Sequence, residues 1–335
     1  MSENPFSGSE RTASPHVYIH RIGRNYKEYM PKENEARLRS FARVTCDGPA
    51  ETALSPEVLA QRLKGVEAIL SLNGVGAEEI TEELLAKAGT VRVAAISHYF
   101  HGNHDRAAAA WRRAGVEVID ASDGNNRAVA EWTLGAAITG LLRFAEFDRA
   151  MRSGVLWPDG SVADHLSGKV VGIVGLGRVG RIVARYFSLF DVELLGYDAY
   201  VTADRIKAMG VKPVGLRELL KRSDIITLHL PVTQETRGMI GREELQAIKD
   251  GALLINSARA AIIDGKAFRD ELLKRRFRAI LDVYDPEPPS LDDVIRRLDN
   301  VVMTPHVAGN TRQMRADCGR IAVEALRQYF AAARR

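Results

Sequence analysis

The 335-residue chain contains 46% hydrophobic and 27% charged residues, a composition that is typical of folded proteins and excludes disordered, collagen-like and coiled-coil classes. Its length is about twice that of an average domain, so two domains are expected. The net charge of +4 is small, and acidic residues flank the densest basic run, 274–278. This run therefore predicts a solvated helix end rather than a nucleic-acid surface.

The N-terminal segment, the apolar runs and the cysteines indicate the setting of the protein. Residues 1–15 contain acidic residues and no apolar core, so we interpret them as a disordered lead-in rather than a signal peptide. The longest apolar run, 132–142, is too short to cross a bilayer. Cys46 and Cys318 are far apart and predict neither a disulfide framework nor a zinc site. We therefore expect a reducing, cytoplasmic environment and no membrane, nucleic-acid or metal partner.

Apolar strand patterns alternate with helical patterns along the chain, which is typical of parallel α/β sheets. In the first series, strands are predicted at 16–19, 66–70 and 91–96, and helices between them at 56–63 and 81–88. One long helix over 127–150 is expected next. In the second series, strands are predicted at 169–174, 192–197, 225–230, 252–255, 279–283 and 301–303. A last helix is predicted at 312–335.

A glycine-rich turn joins the first strand of the second series to a predicted helix. Gly175 permits a tight turn, Gly177 lets the backbone approach a pyrophosphate, and Gly180 allows the helix to pack closely on the strand. Arg178 and Val179 lie within the same turn. The helix N-terminus offers N–H groups to phosphates. The turn therefore predicts a dinucleotide site.

Asp198 indicates which dinucleotide is bound. It lies about 20 residues after the glycine-rich turn, at the end of the next strand, where a carboxylate can accept hydrogen bonds from both ribose hydroxyls. The same carboxylate would repel a 2′-phosphate, and no arginine follows it at positions 199 and 200. We therefore predict NAD rather than NADP as the cofactor.

Three polar side chains follow strand ends in the second series, where ligands bind in open parallel sheets. Arg259 can hold a substrate carboxylate and polarise the adjacent carbonyl. His306 can exchange a proton with the carbonyl oxygen, and Glu287 can fix the tautomer of that imidazole. Taken singly, each residue also has a structural explanation: Arg259 fits a surface ion pair, Glu287 fits a loop, and His306 fits a packed histidine. Together they favour hydride transfer to and from a 2-keto or 2-hydroxy acid.

The ordered set of motifs resembles the D-isomer-specific 2-hydroxyacid dehydrogenase family. The resemblance is carried by segments 128–131, 172–180, 229–231, 235–240, 256–259, 282–283, 287–288 and 304–306. It implies two doubly wound parallel-sheet domains, with a Rossmann NAD-binding domain at 126–309 inserted into a flavodoxin-like substrate/catalytic domain at 16–125 and 310–335. It also assigns the catalytic roles to Arg259, Glu287 and His306.

The resemblance implies further contacts and an assembly. Additional cofactor-binding positions are Leu230, Pro231, Thr236, Ser257, Ala258 and Asp282. Substrate-binding positions, beside Arg259, are Asn73, Gly74, Val75, His98 and Tyr99, and the N–H groups of Gly74 and Val75 are expected to face the substrate carboxylate. A homodimer through the NAD-binding domain is expected, with the apolar stretch 132–142 at its interface.

Two departures from the family pattern bear on function. Ala260 follows Arg259 where the family has glycine, a change that we expect to be tolerated. Segment 97–105 replaces a glycine-rich substrate loop with bulky and polar residues. It fits a reshaped pocket for an unusual acid, a metal site of His98, His101 and His104, or an ordinary loop.

Two alternative functions stay open at this point. A phosphite-type dehydrogenase of the same superfamily would share the three catalytic residues. A non-catalytic NAD-sensing binding protein would account for the altered segment 97–105. An NAD-dependent D-2-hydroxyacid dehydrogenase is favoured because all three catalytic residues are present.

Overall fold

The chain folds into two compact α/β units. The computed structural model describes residues 14–20, 25–47, 52–97, 103–158 and 162–333, with the backbone alone for 103–105. One unit comprises Met1–Asn125 and Arg312–Arg335, and the other comprises Asn126–Thr311. Each unit is built on one parallel sheet, which confirms the expected class of two parallel-sheet α/β domains.

The first unit contains a five-stranded parallel sheet. Its strands are β1 (His16–Ile19), β2 (Arg43–Cys46), β3 (Ala68–Ser71), β4 (Val93–Ile96) and β5 (Glu117–Asp120), in the spatial order β2-β1-β3-β4-β5. Its helices before the second unit are α1 (Tyr26–Tyr29), α2 (Lys32–Arg39), α3 (Pro56–Arg62), α4 (Glu82–Ala88) and α5 (Asn103–Arg113). Strands β1, β3 and β4 are buried along their whole length, as expected for strands covered on both faces.

The second unit contains a seven-stranded parallel sheet. Its strands are β6 (Val170–Val174), β7 (Glu193–Tyr197), β8 (Lys212–Pro213), β9 (Ile225–Leu228), β10 (Leu253–Asn256), β11 (Arg278–Leu281) and β12 (Val301–Met303), in the order β12-β11-β10-β9-β6-β7-β8. Its helices are α6 (Asn126–Leu141), α7 (Phe144–Arg152), α8 (Gly180–Phe187), α9 (Ala203–Ala208), α10 (Leu216–Arg222), α11 (Arg242–Ala247) and α12 (Gly265–Leu273). The strand order reverses between β6 and β9, where ligands of such sheets bind.

The single helix expected over 127–150 is wrong. Helix α6 ends at Leu141 and α7 begins at Phe144, because Arg143 adopts a left-handed conformation with φ +54°. The Arg143 guanidinium donates to Glu146 in the first turn of α7, with an Nε–Oε2 distance of 2.8 Å. The chain therefore changes direction at a residue that an apolar helical pattern does not reveal.

The last helix, α13 (Arg312–Ala332), returns the chain to the first unit. A Cβ atom at Gly319 would overlap the Tyr29 carbonyl oxygen, so α13 packs closely on the C-terminal end of α1. The Asn34 side chain donates to the carbonyl oxygens of Tyr29 and Ala316, at 3.0 and 2.9 Å. Among the helices of the described chain, none is long and apolar enough to cross a membrane.

Candidate active site

The glycine-rich loop follows β6 where the strand order of the sheet reverses. Gly175 has φ +95°, and a Cβ atom there would lie 2.6 Å from the His229 carbonyl oxygen. A Cβ atom at Gly180 would overlap the Gly175 carbonyl oxygen. At Gly177, by contrast, a Cβ atom would meet nothing within 4 Å of it in the described chain. Gly175 and Gly180 are thus packed tightly against backbone, whereas the described chain leaves open space beside Gly177. This arrangement fits the close approach of a pyrophosphate.

Asp198 follows β7 and holds the glycine-rich loop against the next turn. Its Oδ2 accepts the Leu176 N–H at 2.7 Å, and its Oδ1 accepts the N–H groups of Tyr200 and Val201 at 2.8 and 3.0 Å. The residue is partly exposed, so its carboxylate also has a side available to ribose hydroxyls. Its position and charge fit NAD and oppose a 2′-phosphate.

The residues after β9 form a hydrogen-bonded turn next to this loop. Thr236 Oγ1 donates to the Pro231 carbonyl oxygen at 2.6 Å and accepts the Thr233 N–H at 2.8 Å. The Leu230 side chain would lie 2.9 Å from a Cβ atom at Gly175. The predicted cofactor positions Leu230, Pro231 and Thr236 therefore lie in one compact turn bordering the glycine-rich loop.

Arg259 follows β10 and is held by a residue that the sequence did not single out. Asn256, 1% exposed at the end of β10, accepts the Ala258 N–H through Oδ1 and donates through Nδ2 to the Arg259 carbonyl oxygen, both at 3.0 Å. Ser257 Oγ lies 3.5 Å from Thr133 Oγ1. Arg259 is partly exposed, and its Nη1 donates to the Ala258 carbonyl oxygen at 2.5 Å. The sequence feature that could have indicated this role is the asparagine at the end of an otherwise apolar strand.

The structure brings Glu287 and His306 together. His306 Nδ1 lies 2.8 Å from Glu287 Oε1, and the two side chains are 35% and 38% exposed. A carboxylate accepts hydrogen bonds, so Nδ1 carries a proton, and Nε2 is the ring nitrogen that could exchange a proton with a ligand. His306 also has φ +55°, a conformation that is uncommon for a residue other than glycine.

Asp282 holds the segment that contains His306. It is fully buried, and Oδ1 accepts the Thr304 hydroxyl at 2.5 Å and the Val307 N–H at 2.9 Å. Its Oδ2 accepts the Ala308 N–H at 2.8 Å. Direct cofactor binding by Asp282 stays a prediction, whereas the contacts present give its carboxylate a role in the shape of the His306 segment.

The loop after β3 contains the predicted substrate positions of the first unit. The Val75 N–H, expected to face a substrate carboxylate, donates instead to Asn73 Oδ1 at 3.1 Å. Gly74 and Gly76 on either side of Val75 have φ +76° and +70°. Within the described residues, the N–H groups of Gly74 and Gly76 donate to no protein acceptor, so both are donors that this loop can offer to a ligand, and Gly74 is the one at a predicted substrate position.

Segment 97–105 lies mostly outside the described residues, which contain neither His98, Tyr99 nor His101. His104 falls within α5, where only the backbone is described. Among the described residues, no group of three or more histidine, cysteine, aspartate or glutamate side chains could hold a metal ion. The three interpretations of this segment therefore stay predictions.

Comparisons with known proteins agree with the fold and with the family that the sequence resembles. The family model described as D-isomer specific 2-hydroxyacid dehydrogenase, NAD binding domain, matches residues 134–308. A D-3-phosphoglycerate dehydrogenase of Archaeoglobus fulgidus is 34% identical over 275 residues, covering 82% of this chain and 51% of that protein. A glyoxylate reductase of Thermofilum pendens is 32% identical over 321 residues, covering 94% and 91%. The crystal structure of a D-lactate dehydrogenase from Treponema pallidum shares the fold, with TM-score 0.79, 24% identity and coverage of 95% and 97%.

A parallel sheet with a glycine-rich loop at its reversal point defines a dinucleotide-binding α/β fold, and here a histidine–carboxylate pair follows later strands of the same sheet. The chain belongs to the D-isomer specific 2-hydroxyacid dehydrogenase family, which confirms the resemblance seen in its sequence. Its cofactor is NAD. The chain spans about half the length of the D-3-phosphoglycerate dehydrogenases that it matches.

Proposed function

We propose that this chain catalyses hydride transfer between NAD(H) and a small D-2-hydroxy acid or its 2-keto acid. The single observation that carries the proposal is the 2.8 Å pair of His306 and Glu287. It follows β11 and β12, and Arg259 and the glycine-rich loop follow β10 and β6 of the same parallel sheet. The carboxyl ends of parallel strands meet at one edge, so the acid–base pair, the cation and the cofactor loop share that edge.

The proposed chemistry assigns one role to each side chain. NADH, when bound, would supply the hydride that reduces the carbonyl carbon of the keto acid. His306 gives its Nε2 proton to the carbonyl oxygen, which becomes the hydroxyl, and takes the proton back in the oxidative direction. Glu287 keeps the Nδ1 proton in place and stabilises the imidazolium form. Arg259 binds the substrate carboxylate.

We propose that the unit of Met1–Asn125 and Arg312–Arg335 is the substrate domain. Its candidate contacts are Asn73, Gly74 and Val75, with His98 and Tyr99 in the segment that departs from the family pattern. The Gly74 N–H supports this role, because a backbone N–H can donate a hydrogen bond to a carboxylate oxygen.

A kinetic comparison of two histidine variants tests the proposed function. The purified protein is assayed for NADH oxidation with 2-keto acids including glyoxylate, and for NAD reduction with D-lactate and 3-phosphoglycerate. We expect His306→Ala to lower kcat by about a thousandfold without changing NADH affinity, a loss typical of a general acid–base group. His165→Ala, at an exposed histidine of the same unit, is the control. Full turnover by His306→Ala would remove His306 from the mechanism, and NADH binding without turnover of any acid would favour a sensing protein.

We also propose a homodimer formed through the NAD-binding domain. The expected segment 132–142 is partly committed to the core of this domain, since Ala136, Ala137 and Leu141 are buried. The segment that follows exposes large apolar side chains instead: Phe144 (60%), Met151 (61%), Leu156 (66%), Trp157 (79%) and Val162 (80%). A second copy covering this patch would remove it from water.

Sedimentation velocity tests the dimer. We expect the wild-type chain to sediment as a dimer and the double variant Leu156→Ser, Trp157→Ser as a monomer with unchanged NADH affinity. Leu189→Ser removes another exposed apolar side chain, 79% exposed and outside this segment of the sequence, and should leave the dimer intact. A monomeric wild type would contradict the proposal.

We further propose a cytoplasmic location, which the free thiols of Cys46 and Cys318 support.

A further inference from the structure

His20 lies directly after β1, where the strand order of the first sheet reverses. Strand β1 pairs with β2 on one side and with β3 on the other, so His20 stands beside the loop that follows β3. Its side chain is only 1% exposed. A polar side chain buried to this degree needs hydrogen-bond partners, and those partners reveal what it holds.

One ring nitrogen of His20 contacts the end of the loop after β3. Nε2 lies 2.9 Å from the Gly76 carbonyl oxygen. A carbonyl oxygen can only accept, so Nε2 carries a proton and donates it. The same oxygen accepts the Glu79 N–H at 2.9 Å, and Glu79 Oε2 lies 3.5 Å from Nε2. The imidazole therefore contacts both the last glycine of the loop and the helical turn that follows.

The other ring nitrogen fixes the orientation of the imidazole. Nδ1 lies 2.9 Å from the hydroxyl of Tyr18, which is fully buried and also hydrogen-bonded to Asp47. The Arg62 guanidinium donates to Asp47 Oδ1 at 2.7 Å. The imidazole thus lies between the Tyr18 hydroxyl and the loop, and rotation of the ring would break its hydrogen bond to the Gly76 carbonyl oxygen.

The loop needs such a contact because its shape depends on two left-handed glycines. Gly74 and Gly76 have φ +76° and +70°, and glycine is conformationally free in solution. The Asn73 side chain closes the loop at its start by accepting the Val75 N–H. We infer that His20 is the positioning residue that closes the loop at its end and thereby fixes the Gly74 N–H. This inference rests on the proposed function, which assigns that donor to the substrate carboxylate.

Substitutions at the two ends of β1 separate positioning from general stability. His20→Leu removes the donor to Gly76, whereas His20→Gln retains an amide N–H near the Nε2 position. His16→Leu is the matched control, because His16 is also buried and its Nδ1 lies 3.2 Å from the Gly65 carbonyl oxygen at the opposite end of the strand. Each variant is compared in KM for the best keto acid, kcat, NADH affinity and amide hydrogen exchange of residues 73–79.

We expect His20→Leu to raise KM for the keto acid about tenfold, the size of effect that loss of a buried hydrogen bond can have, with kcat and NADH affinity within about twofold of wild type. The Glu79 amide should exchange about tenfold faster. His20→Gln should restore both values to within about threefold. His16→Leu should lower the melting temperature and leave KM and loop exchange unchanged.

Two results would overturn the role of His20: an unchanged KM in His20→Leu, or an equal rise in KM in His20→Leu and His16→Leu. If the wild type turns over no hydroxy or keto acid, it is the proposed function that fails. The exchange measurement then decides the role of His20 independently. Faster Glu79 exchange in His20→Leu alone supports loop positioning, and unchanged exchange contradicts it.

Discussion

The buried carboxylate of Asp282 accepts the Val307 N–H at 2.9 Å and so fixes the residue next to His306. The Thr304 hydroxyl and the Ala308 N–H reach the same carboxylate, so donors from both sides of His306 converge on it. His306 has φ +55°, a backbone conformation that costs free energy for a residue other than glycine. The hydrogen bonds to Asp282 offset that cost and hold the imidazole where Glu287 can reach it.

Asp282→Asn should therefore lower both stability and turnover. An amide at this fully buried position would direct its NH2 group at a backbone N–H, leaving two donors facing each other. We expect a loss of about 1–3 kcal/mol in the free energy of unfolding and a fall in kcat of at least about tenfold. Urea denaturation and steady-state kinetics measure these effects. Asp285→Asn, at an exposed carboxylate nearby, is the control, and equal behaviour of the two variants would contradict the role of Asp282.

Glu287→Gln tests the charge of the pair separately from its geometry. The amide oxygen can still accept the Nδ1 proton, so the ring orientation is retained, but the negative partner of the imidazolium is lost. We expect kcat to fall about 10- to 100-fold with unchanged NADH affinity, within the range of an acid–base contribution. Glu243→Gln changes an exposed carboxylate of the same unit and should have no effect. Wild-type kcat in Glu287→Gln would show that orientation alone is required.

The apolar pattern predicts the central strands and the edge strand β12, and it misses the other three edge strands. The bounds predicted for β1 and β12 agree with the structure at both ends, and the other predicted strands overlap those observed. The strands that the pattern does not reveal are β2, β5 and β8, all of which lie at sheet edges. Strands β2 and β5 are only half-buried, so their sequences, RVTC and EVID, lack the continuous apolar run that marks a central strand.

In the site, too, the residues could be predicted where they directly follow a strand, but not where their role depends on contacts between distant parts of the chain. The glycine-rich turn, Asp198, Arg259 and His306 follow strands directly, and their type and position in the sequence were sufficient to select them. The holding role of Asp282 was not predictable in this way, because its partners lie more than 20 residues further along the chain. His20 likewise acts on a neighbouring loop through a contact that only the folded sheet creates, whereas the partners of Asn256 lie two and three residues further along the chain.

A pair of glycine variants distinguishes packing from cofactor binding in the glycine-rich loop. Gly180→Ala would drive a Cβ atom into the Gly175 carbonyl oxygen, and we expect a loss of about 3 kcal/mol in stability. Gly177→Ala meets no protein atom, so its stability should stay within about 0.5 kcal/mol of wild type. Its methyl group would nonetheless lie on the open side of the loop, and NADH affinity should fall at least about tenfold.

Thermal unfolding and fluorescence titration with NADH measure the two effects. Each variant serves as the control for the other, because both add one methyl group to the same loop. Unchanged NADH affinity in Gly177→Ala would show that the cofactor does not approach the backbone there. Wild-type stability in Gly180→Ala would contradict the close packing of α8 on β6.

His229, which follows β9 beside the glycine-rich loop, should make the protein less stable in acid. Burial lowers the pKa of His229 to about 3 from its ordinary 6.5, so the folded chain keeps this ring neutral while the unfolded chain is protonated. Stability should therefore fall as the pH drops from 6.5 towards 3, by up to about 1.4 kcal/mol per pH unit from this group. His229→Gln should flatten the dependence of the unfolding free energy on pH between about pH 6 and pH 4. His165→Gln, at an exposed histidine, should leave it unchanged, and equal slopes in wild type and His229→Gln would show that His229 is protonated in the folded state.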